Sequence, residues 1–205
     1  MLVLLIGPPG VGKGTQLFLL QKALKVNKIP FKYFIFGDEF RRLAKEDKTL
    51  KEKLANGDLI DDDNVNKVFN LLNIPVDSSK LVIIDGYPRS INQAKNLSKY
   101  KNIMPIFFDT SLDILEDRLL KRKQCKNCNY CNMDKDKCDK CGGTELFVRS
   151  DDNIESVRHR FEQYELTTKP IKEYFSINKN FLEIETNQDR ELIHDIVFKH
   201  IKDRV

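Results

Sequence analysis

Short apolar runs alternate along this chain with longer segments in which apolar side chains recur every three or four positions. The first run, Leu2-Val-Leu-Leu-Ile6, reads as a strand, and Leu17, Leu20 and Leu24 mark one face of the helix that follows. Asn27-Lys-Ile-Pro30 breaks that pattern, and Phe31 to Phe36 alternates as a strand does. A charged, weakly apolar helical region then runs to Asn56-Gly57. The aspartates between Asp58 and Asp63 offer N-caps for a helix with Val65, Val68, Phe69 and Leu72 on one face, closed by Pro75 and Ser78-Ser79. Leu81-Val-Ile-Ile-Asp85 is apolar up to its final acid, which suits a central parallel strand buried on both faces. Met104 to Asp109 is a further strand, and Ser111 is placed to cap a helix that turns Leu112, Leu115 and Leu119 inward. After a cysteine-rich insert from about Gln124 to Thr144, helices resume at Asp151, and Phe181 to Ile184 fits a late strand. Leu192, Ile193, Ile196, Val197 and Ile201 make a closing amphipathic helix.

Strands alternating with helices predict an α/β fold around a mainly parallel sheet. With 205 residues and 40% hydrophobic content, the chain can bury one core that carries small inserted subdomains. Charge changes this picture little: 35 basic against 31 acidic residues leave +4, which suits anionic substrates without arguing for nucleic acid. The apolar stretches are of strand length, so no membrane span is expected, and the apolar start reads as a strand rather than a signal sequence. We expect a cytoplasmic protein and a monomer. All five cysteines lie between Cys125 and Cys141, a cluster that in such a compartment reads as metal rather than disulfide.

The candidate chemistry begins at Gly7-Pro-Pro-Gly10-Val11-Gly12-Lys13-Gly14-Thr15, directly behind the first strand and ahead of a helix. In that context glycines let successive backbone N–H groups turn onto an anion, Lys13 adds a point charge, and the helix presents its positive end. Asp85 ends an apolar strand downstream, in the position from which an acid holds Mg²⁺ through water. Asp85-Gly86-Tyr-Pro-Arg89-Ser90 then Gln93, Arg118 and Arg122 four apart on a helix, and Arg149-Ser-Asp151-Asp152 with Val157-Arg158-His-Arg160 complete a series of cations. Cations without a dedicated nucleophile fit phosphoryl transfer to an acceptor that is already an oxyanion, where catalysis is alignment and charge neutralisation. His159, His194 and His200 fall in helical, exposed settings and receive no role.

These motifs resemble the nucleoside monophosphate kinases, and most of all the adenylate kinase family. The resemblance spans nearly the whole chain and implies a three-layer P-loop fold with a parallel sheet. It implies a core of residues 1–35, 66–121 and 152–205, a helical acceptor-binding insert at 36–65 and a lid at 122–151. It further implies reversible transfer from Mg·ATP to AMP, giving two ADP. By position, Gly10, Val11, Gly12, Lys13, Gly14, Thr15, Arg118 and Arg122 would hold ATP, with the Arg118 plane on the donor adenine. Phe36, Arg41, Gly86, Arg89, Gln93, Arg149 and Arg160 would hold AMP, and Lys13, Arg89, Arg122, Arg149 and Arg160 would serve catalysis. Asp151 and Asp152 would tie the closing lid to arginine partners.

Cys125-x2-Cys128 and Cys138-x2-Cys141 form two knuckles whose four thiolates suit a closed, structural Zn²⁺ site. The family includes members with such a lid, although the loop between the knuckles is short here and contains Cys131. Cys125, Cys128 and Cys131 also read as C-x2-C-x2-C, which can hold an iron–sulfur cluster. One departure bears on the acceptor: Phe36 stands where adenylate kinases usually carry Thr and pyrimidine-specific relatives Ala, with Ile35 beside it. A phenylalanine there would stack on the acceptor base or narrow its pocket. The alternatives are therefore a kinase preferring UMP, CMP or GMP, or a zinc-ribbon nucleic-acid-binding P-loop ATPase.

Overall fold

The computed structural model describes residues 1–75 and 80–205. Its centre is a sheet of five parallel strands, β1 (Leu2–Ile6), β2 (Phe31–Ile35), β3 (Leu81–Asp85), β4 (Ile103–Asp109) and β8 (Leu182–Glu185), in the order β2-β3-β1-β4-β8. Register sets Leu5 opposite Asp85 on β3 and Ile106 on β4, so the phosphate loop and the Asp85 segment leave the same sheet edge together. Strands buried on both faces need no alternation, which is why β1 and β3 read as unbroken apolar runs.

Alternate residues of β1 feed two cores. Val3 and Leu5 face α1 (Lys13–Val26), α6 (Leu112–Leu120), α7 (Ile154–Gln163) and α9 (Arg190–Lys202), through Leu17, Leu115, Val157 and Val197 among others. Leu2, Leu4 and Ile6 face α2 (Phe36–Leu43), α4 (Asp62–Leu71), α5 (Ile91–Lys95) and α8 (Ile171–Ser176). The result is a three-layer α/β/α sandwich. A π-helical turn at Tyr164–Thr168 joins α7 to α8, and α3 (Lys48–Asn56) packs Leu50 and Leu54 against the second core. Between α6 and α7 stands a second, antiparallel sheet of β5 (Arg122–Cys125), β6 (Cys131–Met133) and β7 (Leu146–Phe147), ordered β6-β5-β7.

Several expectations need correction. Arg122 is not on the helix of Arg118: α6 ends at Leu120, Lys121 caps it, and Arg122 opens β5, so the two arginines do not share a helical face. Ser111 occupies the N-cap of α6 but its side chain makes no capping hydrogen bond. Leu112, Leu192 and Ile196 are exposed, because α6 and α9 each bury a narrower stripe than their apolar content allows. The three histidines are half-buried: His159 meets Asp58 at 2.8 Å, His200 meets the Asn180 carbonyl at 3.0 Å, and His194 stacks on Phe198. Ser78 and Ser79 lie outside the described residues. α4 carries Val65 and Phe69 on its buried face, as the sequence pattern leads one to expect.

Leu119 is fully buried in the first core and lies against the phosphate loop, since a Cβ on Gly10 would come within 2.9 Å of its Cγ. Leu119→Ala should therefore lose about 2–5 kcal/mol of stability. Urea unfolding read by circular dichroism measures it, and a loss well under 1 kcal/mol would contradict this packing.

Candidate active site

Gly7 leaves β1 with φ +150°, and a Cβ there would sit 2.4 Å from the Phe108 carbonyl oxygen, so the loop can start only with glycine. Gly12, at φ +100°, is the N-cap of α1 and offers no side-chain cap. The first N–H groups of α1 are thus left for an anion. Lys13 folds back over the loop, its Nζ donating to the carbonyls of Gly7 and Pro8 at 2.8 Å each. Removal from water in the cleft lowers the lysine to about 8; the Asp85 carboxylate opposes this, while Arg89, Arg160 and Arg122 add to it. Desolvation likewise raises the Asp85 carboxyl, against the pull of Lys13 and Arg89.

A cleft of about 310 Å³ opens above these strand ends. The phosphate loop, Arg41, Asp85, Arg89, Arg118, Arg122, Arg149 and Arg160 all line it. Arg41, on α2, is turned by a 2.7 Å ion pair with Asp38. Arg89 follows the turn at Gly86, its Nε donating to the Gly86 carbonyl at 3.1 Å. Arg118 reaches the Thr186 carbonyl at 3.3 Å from α6. Arg122 grips Asp152 with two hydrogen bonds, the Nε one at 2.7 Å and the other from Nη2 to Oδ1. Arg160 pairs with Asp151 at 3.1 Å and with Asp152 at 3.3 Å, and burial brings its guanidinium down to about 10. Burial alone would raise the Asp151 carboxyl, but Arg160, Arg149, Arg122 and Arg41 together hold it below its ordinary range. The sequence-predicted cations, scattered over more than a hundred residues, thus converge on one cavity.

Of two further predicted site residues, Gln93 lines the cleft with its amide already engaged, and Phe36 does not line it. Gln93 is buried and both ends of its amide are engaged: Oε1 accepts from the Arg89 N–H at 2.7 Å, and Nε2 donates to Asp62 Oδ1 at 2.7 Å. Phe36 is 2% exposed and does not line the cleft. Its ring stacks on Tyr87 (centroids 5.1 Å apart, 19° between planes) and lies 6.5 Å from Phe69. As the first residue of α2 it continues the apolar layer behind the site, so a stacking role on the acceptor base is corrected to a core role. Ile35, Phe40, Ile60 and Val65 form the apolar wall instead.

Other contributors escaped sequence reasoning. Asp62 reads as one capping candidate among several, yet Asp61 caps α4 while Asp62 braces Ser90 and Gln93. Gly57, at φ +82°, lets α3 meet α7, because a Cβ would lie 2.7 Å from Arg160 Cγ. Tyr130 packs on Phe18 of α1 at 4.9 Å, and Asp139 meets Arg190 at 3.8 Å, so the second sheet is folded onto the core. Only the acid among the capping candidates had a signal; the rest depend on which loops meet.

The four sulfurs of Cys125, Cys128, Cys138 and Cys141 all lie within 4.8 Å of one another, with Cys125–Cys141 at 3.6 Å and Cys128–Cys138 at 3.5 Å. Burial and then the neighbouring thiols drive Cys128 up to about 12, whereas at Cys138 the N–H groups of Cys141 and Lys140 outweigh burial and bring the thiol down to about 6. Four thiols so close cannot all ionise unless a cation sits among them, so the group fits a four-thiolate metal ion such as zinc. Cys131 is not in the cluster: its sulfur accepts from Arg149 Nη2 at 2.9 Å, which removes the C-x2-C-x2-C cluster reading.

A three-layer fold around one parallel sheet, with a phosphate loop, an acid at the neighbouring strand end and converging guanidiniums, defines a P-loop nucleoside monophosphate kinase, a phosphotransferase. A sequence model of the adenylate kinase family matches residues 5–180. The adenylate kinase of Thermoanaerobacter sp. (strain X514) is 34% identical over 221 aligned positions, covering 100% of this chain and 99% of the relative. That of Rickettsia peacockii (strain Rustic) is 33% identical over 215 positions, covering 98% of this chain and 99% of the relative. The chain belongs to the adenylate kinase family.

Two outcomes are expected. Phe36→Ala should lose about 3–5 kcal/mol of stability in denaturant unfolding while leaving the ranking of acceptor nucleotides unchanged; a changed ranking would return Phe36 to the base pocket. Metal analysis should find about one zinc per chain, and chelation should lower the melting temperature, because binding a structural zinc is folding free energy.

Proposed function

We propose that the chain transfers the terminal phosphoryl group of Mg·ATP reversibly to AMP, giving two ADP. The observation that carries this reading is the convergence of Lys13, Arg89, Arg122, Arg149 and Arg160 on one cleft that also holds the phosphate loop. The acceptor phosphate is already an oxyanion, so these groups need only align two anions, offset their repulsion and exclude water. Gly12 and Gly14 have nothing within 4 Å of where a Cβ would be, which leaves room for a polyphosphate over the α1 N-terminus. A phosphate bound there draws Lys13 from the Gly7 and Pro8 carbonyls and favours its charged form.

Asp85 fits the magnesium, since its carboxylate faces Lys13 and the cleft, and an oxygen donor is what a hard cation takes. When bound, Mg²⁺ neutralises phosphate charge as the phosphoryl group moves. Arg118 and Arg122 are assigned to the donor side, and Arg41, Gly86, Arg89 and Gln93 to the acceptor side. The Asp151 and Asp152 pairs with Arg160 and Arg122 bind the lid to α7 as it closes. In this reading residues 36–65 and 122–151 close over the substrates, and the second sheet's docking on Phe18 and Arg190 supports a closed arrangement. We assign a cytoplasmic monomer acting on free nucleotides rather than nucleic acid. The thiols gathered in one metal-type cluster support a reducing compartment. Among the described residues no helix is long and apolar enough to cross a membrane.

A coupled assay with Mg·ATP against AMP, GMP, UMP and CMP tests the reaction. AMP should be the best acceptor, and Lys13→Ala should abolish turnover with the fold retained. A better acceptor than AMP would move the chain to another monophosphate specificity, and an active Lys13→Ala enzyme would remove the phosphate loop from the mechanism.

A further inference from the structure

Gln124 and Cys131 stand directly opposite each other on the antiparallel strands β5 and β6. Opposed residues of such a pair project to the same face, and here both reach one guanidinium. Arg149 Nε donates to Gln124 Oε1 at 2.8 Å, and Arg149 Nη2 donates to Cys131 Sγ at 2.9 Å. Gln124 is itself 3% exposed, and its orientation is set because Nε2 donates to the Asn129 carbonyl at 3.0 Å. Asn129 in turn donates its N–H to the Cys125 carbonyl at 2.9 Å, within the first cysteine knuckle. A continuous series of hydrogen bonds therefore runs from the knuckle turn to Arg149.

The neighbouring arginines are held differently. Arg122 and Arg160 are paired with the carboxylates of Asp152 and Asp151, which offset part of their charge. Among the described residues Arg149 makes no ion pair with a carboxylate; its partners are a carboxamide oxygen and a sulfur. A carboxamide oxygen and a sulfur fix the direction of a guanidinium at two points without the close ion pair a carboxylate would make. In a site whose catalysis is alignment and charge stabilisation, the direction in which each charge is held is decisive.

We propose that Gln124 and Cys131 are positioning residues that act through Arg149, a two-point cradle aiming its guanidinium at the transferring phosphoryl group. This rests on the role assigned to Arg149 in the proposed reaction. Cys131, which no metal-ligand reading absorbs, thereby has a function. The cradle exists only because strand register brings a residue before the first knuckle beside one after it.

The experiment uses the full-length, metal-loaded chain. Cys131→Ala, Cys131→Ser and Gln124→Leu are each made alone and on an Arg149→Lys background. The readouts are kcat, KM for both nucleotides, zinc content and melting temperature. Cys131→Ala and Gln124→Leu should each lower kcat about 10- to 100-fold, the scale of a misplaced catalytic group. KM, zinc content and melting temperature should stay near those of the unaltered chain. Cys131→Ser, which keeps an acceptor, should restore most of the rate. On the Arg149→Lys background the truncations should cost almost nothing further. The inference is overturned if the truncations leave kcat unchanged, if their losses persist undiminished on the Arg149→Lys background, or if the losses track zinc release or a lower melting temperature. An Arg149→Lys enzyme with full kcat would instead bring down the assigned role of Arg149, which distinguishes failure of the premise from failure of the cradle.

Discussion

Crowding of like charge is the constraint on which this structure depends. Lys13, Arg89, Arg122, Arg149 and Arg160 line one cleft, and each adds its field to the others. Such a group is stable in a folded chain only if carboxylates and carbonyls hold it, and it remains useful only if they do not neutralise it entirely. Asp85 faces Lys13, Asp152 and Asp151 hold Arg122 and Arg160, and backbone carbonyls hold Lys13, Arg89 and Arg118. What is left over is a cavity with a strong preference for anions.

Everything larger serves to assemble that cavity. Parallel register brings the ends of β1 and β3 side by side, so the phosphate loop and Asp85 lie at one edge. Glycines are required where backbones approach: Gly7 against the Phe108 carbonyl and Gly57 against Arg160. The small second sheet has little core of its own, and four clustered sulfurs give it a metal-type staple. Hydrogen bonds run from the knuckle turn through Asn129 and Gln124 to Arg149.

Much of this was legible from residues alone. The strands of the sheet, the phosphate loop, the acid at the end of β3 and the two cysteine knuckles are local in sequence. Each owes its signal to chemistry that only a few residue types supply: backbone freedom at glycine, continuous burial in a parallel strand, thiolates at short spacing. Helix ends were less legible. Arg118 and Arg122 keep a helical spacing, but α6 stops between them, and no local residue announces that a strand must start there to build the second sheet.

The class of fold, the family's phosphate-handling cations and the metal-type thiol cluster could all be read from the order of residues, because short-range chemistry sets them. Long-range packing was needed to settle where side chains with two possible directions point. Phe36 turns into the aromatic layer with Tyr87 and Phe69 rather than into the cleft, since burying its ring there removes apolar surface from water. Gln93 is locked by Asp62, and Cys131 is drawn from the thiol cluster to Arg149 by its register opposite Gln124. In each case the deciding partner lies outside the local segment, and only packing brings it within reach.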